Sequence, residues 1–195
     1  MGHSRLHHTA LLLLLLSLAG SAFSQCDQKV DAPSYSVCFP AKWATFKDSS
    51  LDQISGCNKR NGECTGNGGG FPLPGRVFIF IAPAEKLPIE PKPHSIEEIV
   101  RMPPFRPDEV EITAIALAKS SEPKRCLVAR SLLKPFGVWN EVYGIEVDSR
   151  LFRAWVQYGN EPGKMNGYRE AIIHILSSIS LGKPVQPFSA AKVRP

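Results

Sequence analysis

No apolar run in this chain is long enough to cross a membrane as a helix. The longest, Ala10 to Ala19, holds about ten residues and would rise about 15 Å, where a span needs roughly 20 residues. There is no C-x-x-C pair, no Lys/Arg cluster with interleaved aromatics, and no internal repeat beyond two adjacent hairpin patterns. Proline and glycine are moderate, at 17 and 15 of 195 residues, well under the roughly 25–30% that marks low complexity. Collagen, coiled coil and wholesale disorder are excluded. Histidine is scarce at five, and net charge is only +5, too mild to single out an acidic partner. With no basic patch, nucleic acid is excluded as a partner.

What is present begins with a local feature: Leu11 to Leu16 are consecutive leucines. Arg5 with His3, His7 and His8 precedes them, and the small residues Ala22 and Ser24 follow, in the order of a secretory signal peptide over residues 1–24, cleaved near Ser24/Gln25. A lipid anchor on Cys26 is disfavoured, because Gln25 stands where a lipobox wants a small residue. Removing 1–24 takes away one charged side chain, Arg5, and leaves 22 Lys+Arg against 18 Asp+Glu. It also leaves only His94 and His174. A secreted or periplasmic location is therefore expected.

All five cysteines (Cys26, Cys38, Cys57, Cys64 and Cys126) survive that cleavage. An oxidising compartment makes disulfides the expectation, and an odd count leaves one thiol over. Cys57 and Cys64 flank a short loop and suit a local bridge; a longer link such as Cys38 to Cys126 would constrain more chain. The spacings match no zinc motif, so no metal and no cofactor is expected.

Tyr35–Phe39 alternates and ends at Pro40, a first strand; Trp43 to Asp52 reads as a turn and a short second segment. Residues 55–75 carry seven glycines, Pro72 and Pro74, and read as one long Gly/Cys-rich loop. Arg76–Ile81 is an unbroken apolar run that predicts a strand buried on both faces. After a Pro-rich connector, Ser95 and Glu98 form a capping box for a short helix over 96–102. Period-2 patterns over 109–119, 126–133, 138–147 and 151–158 predict two hairpins, the second turning at Asp148-Ser149-Arg150. Tyr168, Ile172, Ile175, Leu176 and Ile179 recur at helical spacing and predict a second helix over 168–179. The fold class is α+β: a twisted antiparallel sheet of about six or seven strands covered by two helices, over 25–181, with a Pro-rich tail at 182–195.

The opening Tyr35-Ser-Val-Cys-Phe-Pro with Trp43 after it, and the closing Tyr168-Arg-Glu-Ala-Ile-Ile-His-Ile-Leu-Ser-Ser-Ile, resemble the PsbP-like superfamily. The resemblance covers about 33–181 and rests on core-packing residues, so it carries over no site. It implies a binding or assembly module rather than an enzyme. The loop at 55–75 departs from the family's pattern.

Candidates for chemistry are few, and no catalytic residue is assigned. His174 falls away from the helix's apolar stripe and His94 sits in the connector. Ser121/Lys124 and Ser131/Lys134 match S-x-x-K only formally, since a hairpin turn and a strand do not bring Ser and Lys together as a helical turn does. Thr65–Gly70 lacks the Gly-Lys-Ser/Thr and helix of a phosphate loop. Cys126, beside Lys124 and Arg125, is the best-placed thiol for a nucleophile. Trp139, Tyr143, Trp155 and Tyr158 supply a candidate binding face, with Trp155 and Tyr158 on opposite sides of their strand. The leading expectation is an exported, non-catalytic module that binds a partner protein or a small apolar ligand. The alternatives are a thiol-dependent enzyme of the envelope or secreted fraction, and a structural envelope component.

Overall fold

The computed structural model describes residues 26–59, 64, 72–102, 111–117, 124–133, 137–159 and 165–182. The proposed signal segment, the Pro-rich tail beyond 182, the Thr65–Gly70 segment, Ser121 and Lys134 lie outside the described residues. The elements run β1 (Gln28–Asp31), β2 (Tyr35–Phe39), β3 (Ala44–Asp48), β4 (Gln53–Cys57), β5 (Val77–Pro83), a 3-10 turn at Ala84–Lys86 and α1 (Ile96–Val100). They continue with β6 (Glu111–Ala114), β7 (Lys124–Leu133), β8 (Val138–Val147), β9 (Arg150–Tyr158), α2 (Met165–Ser177) and β10 (Ser180–Leu181). Among the described residues every strand pairing is antiparallel, in a seven-stranded sheet of order β3-β4-β5-β9-β8-β7-β6 and a three-stranded sheet of order β1-β2-β10. The chain is thus sheet-rich with two helices among the described residues, only broadly α+β.

Alternation decides the sheet's two faces. Val77, Ile79 and Ile81 on β5, Phe152, Ala154, Val156 and Tyr158 on β9, and Tyr143, Ile145 and Val147 on β8 are fully buried on one side. Two layers cover them: the small sheet, through Val30, Tyr35, Val37 and Phe39, and α2, through Ile172, Ile175 and Leu176. The expected cover of two helices over a single sheet is corrected here. A short α1 and the 3-10 turn cover only part of the outer face, over Ala82, Ala129 and Val142. For the same reason β5 is not buried on both faces: Phe78 and Phe80 remain partly exposed.

Local signals explain the boundaries. Val147 pairs with Arg150 across a two-residue turn. Asp148 and Ser149 both have positive φ, 47° and 64°, the twist that matches two right-handed strands. At α1, Ser95 Oγ accepts from Glu98 N at 3.1 Å, and Glu98 Oε2 accepts from His94 N at 2.7 Å. The reciprocal cap therefore closes one residue earlier than the box predicts. The last three residues of β4 fall inside the expected 55–75 loop, and β1 and β10 fall where no strand is expected; α2 begins three residues before Tyr168.

The two sheets are fastened at defined points. Tyr35 Oη donates to Ile81 O at 2.7 Å and accepts from Ile54 N at 3.1 Å. Cys38 N donates to Ser178 Oγ at 2.8 Å, tying β2 to the end of α2. Gly56 lies under Phe39: a Cβ there would come within 2.8 Å of Phe39 Cδ1 and closer still to Cε1. Gly56→Ala is therefore expected to push the sheets apart and cost about 1–3 kcal/mol. Urea unfolding of G56A and of the double variant with Phe39→Leu checks this, because the smaller side chain should restore part of the loss; equal destabilisation in both would refute the contact.

Candidate functional site

The cysteines partition simply. Cys26 bonds Cys38 and Cys57 bonds Cys64, with Cα separations of 5.2 and 6.2 Å. The local 57–64 bridge is as the sequence suggests. The Cys38–Cys126 link is corrected: the β1–β2 register sets Lys29 opposite Cys38, which brings Cys26 within reach, while Cys126 is free and buried. Burial pushes the Cys126 thiol up from 9.0 to about 12; it packs in the core cluster and its sulfur donates to the Leu127 carbonyl at 3.8 Å. At neutral pH it is a protonated core side chain. In the folded chain Ellman's reagent should leave it unmodified, whereas denaturant should release one reactive thiol; rapid reaction of the native chain would contradict this burial.

The four aromatics of the candidate face separate. Tyr143 and Tyr158 lie on the α2-covered face and are wholly buried, so they cannot form an open surface and that expectation is corrected for them. Trp139, on the same face, is partly buried. Trp155 is on the opposite face, stacked on Phe80 at 5.7 Å, with the Arg153 guanidinium 5.8 Å above its ring. Its Nε1 donates to Asn140 Oδ1 at 3.1 Å.

The two buried tyrosines serve a residue that the sequence reading passed over. Glu141 sits between Trp139 and Tyr143 on the apolar face and is 0% exposed. Its Oε2 accepts from Tyr143 Oη and Tyr158 Oη, each at 2.6 Å. Its Oε1 accepts from Arg130 Nε at 3.0 Å and Arg169 Nε at 2.8 Å. Burial, and then the neighbouring Glu141 carboxylate, push Tyr143 well above its ordinary range; Tyr158 is raised likewise, by burial first. Both hydroxyls therefore stay protonated as donors. Every lone-pair direction of this carboxylate is in use, so it is an anchor and not a general base. Glu141→Ala leaves two guanidiniums and two hydroxyls without their acceptor and is expected to cost about 3–5 kcal/mol; Tyr143→Phe, which removes one donor, should cost about 1–3 kcal/mol. Denaturant titration of both variants checks the order, and an E141A loss no greater than that of Y143F would refute the anchor role.

A concavity with room for a ligand lies elsewhere among the described residues. A cleft of about 520 Å³ opens where β1, the edge of the small sheet, meets β3, the edge of the large one. Asp27, Gln28, Ala41, Trp43, Ala44, Thr45 and Phe46 line it. Gln28 Nε2 donates to Thr45 Oγ1 at 2.7 Å, bridging the two sheets. Asp27 Oδ2 accepts from Ala41 N at 3.2 Å. Trp43 is buried beneath, 5.9 Å from the Phe39 ring, while Phe46 is 52% exposed. The Cys26–Cys38 bond holds the start of β1 against β2 beside this cleft. Its size falls in the range of small-ligand sites, and its lining mixes an aromatic wall with an amide, a hydroxyl and a carboxylate. Sequence reasoning had only Trp43 from this set. The others meet through sheet pairing between distant segments and carry no local signature.

Among the described residues no three His, Cys, Asp or Glu side chains gather to hold a metal, and no helix is long and apolar enough to cross a membrane. No protein-family model matches the chain, and no curated protein matches it.

Proposed function

We propose that the chain is an exported, disulfide-bonded binding module that takes a small ligand, apolar on one side and polar on the other, into the cleft between β1 and β3. The observation that carries the reading is the cleft itself: an exposed phenyl ring, a buried indole and three polar side chains facing one space. Two further features support it. Two disulfides suit an oxidising compartment, in line with cleavage of a signal peptide near Ser24/Gln25. The only free thiol among the described residues is buried and protonated, which leaves a thiol-dependent enzyme without its nucleophile. The PsbP-like resemblance over 33–181 belongs with this proposal, since it too implies binding or assembly rather than catalysis.

The test uses N-phenyl-1-naphthylamine, an uncharged aromatic probe whose emission rises in apolar surroundings. Saturable binding to the folded chain is expected. Phe46→Glu places a charge on the exposed wall of the cleft and should weaken binding at least about tenfold, or about 1.4 kcal/mol, with unchanged melting temperature. Binding that is absent, or indifferent to F46E, would remove the cleft from the proposal.

A further inference from the structure

Two guanidiniums converge on one oxygen of Glu141, and this geometry leaves donors over. Arg130 on β7 and Arg169 on α2 each use only Nε on the buried carboxylate. The Nη groups of both have no hydrogen bond or ion pair among the described residues, and none is a buried atom lacking a partner. They therefore face solvent, from side chains that are 23% and 29% exposed.

The local charge does not balance. Within the cluster two arginines contribute +2 and Glu141 contributes −1, the tyrosines being neutral, so the cluster itself carries one positive charge, with Glu111 of β6 at the register position opposite Arg130. Two like charges held against a single oxygen repel each other, and an anion in front of them would relieve the repulsion. The free edge of a guanidinium matches the two oxygens of a carboxylate, and a planar fork fixed at Nε is preorganised for that contact. A monoanion neutralises the surplus, whereas a phosphate dianion would overshoot it. Apolar surface adjoins the pair on the same face: one register step along, Leu132, 38% exposed, stands opposite the partly buried Trp139.

The geometry points to a binding site for the carboxylate of a small apolar acid, gripped by the Nη groups of Arg130 and Arg169, with its hydrocarbon along Leu132 and Trp139. Glu141 acts here as a positioning residue that aims both guanidiniums outward from below. The site is separate from the cleft at β3: β7 lies five strands away across the sheet, about 24 Å at the usual strand spacing. Failure of one site therefore leaves the other untouched.

Calorimetric titration of the purified chain with octanoate, octylamine and octyl phosphate tests the assignment. Octanoate should bind, octylamine should not, and octyl phosphate should bind more weakly than octanoate. Arg130→Lys and Arg169→Lys each keep a cation that can reach Glu141 but lose the forked edge; each should weaken octanoate at least about tenfold with the fold retained by circular dichroism. Glu111→Gln, at the register position opposite Arg130, should leave binding unchanged or stronger, since it removes only a negative charge. Should either lysine variant fail to fold, the wild-type arginine side-chain ¹⁵N resonances give the answer, because octanoate must shift those of both Arg130 and Arg169. No octanoate binding at millimolar concentration, equal binding by both lysine variants, loss of binding in E111Q, preference for octyl phosphate, or unmoved arginine resonances would each overturn the proposal.

Discussion

The structure turns on a single buried charge. Glu141 stands at the centre of the seven-stranded sheet, on the face that α2 covers, where a carboxylate is tolerable only with its hydrogen bonds complete. The four donors that complete it come from three strands and a helix: Arg130 from β7, Tyr143 from its own β8, Tyr158 from β9 and Arg169 from α2. A one-residue slip of any of these strands would carry its donor to the other face. The carboxylate therefore constrains the register of the middle of the sheet and the seating of the helix together. In net stability such a cluster need not exceed a hydrophobic replacement; its effect is to make wrong pairings costly.

The same cluster reconciles the tyrosines with the core. Two hydroxyls in a layer of Ile, Val and Phe would each need a partner, and Glu141 supplies both from one oxygen. The opposite face has a parallel solution: Asn140 Oδ1 accepts from Trp155 Nε1 and Gln157 Nε2, each at 3.1 Å. These two acceptors on β8 are consecutive residues whose side chains fall on opposite faces of the sheet. Aromatic rings can then fill volume on both faces without leaving their polar ends unpaired.

Much of the fold was legible in the sequence where its signals are local. Alternation over 138–158 predicts the β8–β9 hairpin, and Asp148-Ser149 marks its turn. Ser95 and Glu98 announce α1, and the spacing of Cys57 and Cys64 predicts their bond. The misses share a physical cause: the deciding partner is distant in sequence. Ser55-Gly56-Cys57 reads as loop because glycine weakens a strand, yet Gly56 is the residue that lets Phe39 of the other sheet sit over β4. Cys38 finds Cys26 only through the β1–β2 pairing. Glu141 did leave a trace, since it interrupts an otherwise apolar series from Trp139 to Val147. A lone charge on the buried face of a strand implies compensating donors; the identity of Arg130 and Arg169 follows only from register.

Both proposed sites follow from how the sheet ends. An antiparallel sheet of seven strands must stop at two edges, and each edge leaves side chains less covered than those in the middle. At β3 the small sheet comes close without pairing, so the gap between two strand edges becomes the cleft, and the Cys26–Cys38 bond keeps its far wall from drifting. Near the other edge β7 is followed by the four-residue β6, and Arg130, on the face that α2 covers, is held by Glu141 of β8. The core residue that enforces register thus also determines where two guanidiniums point. A group buried for folding and a group displayed for binding are here the two ends of one set of hydrogen bonds, so a change at Glu141 that the fold survives would still disorder the display.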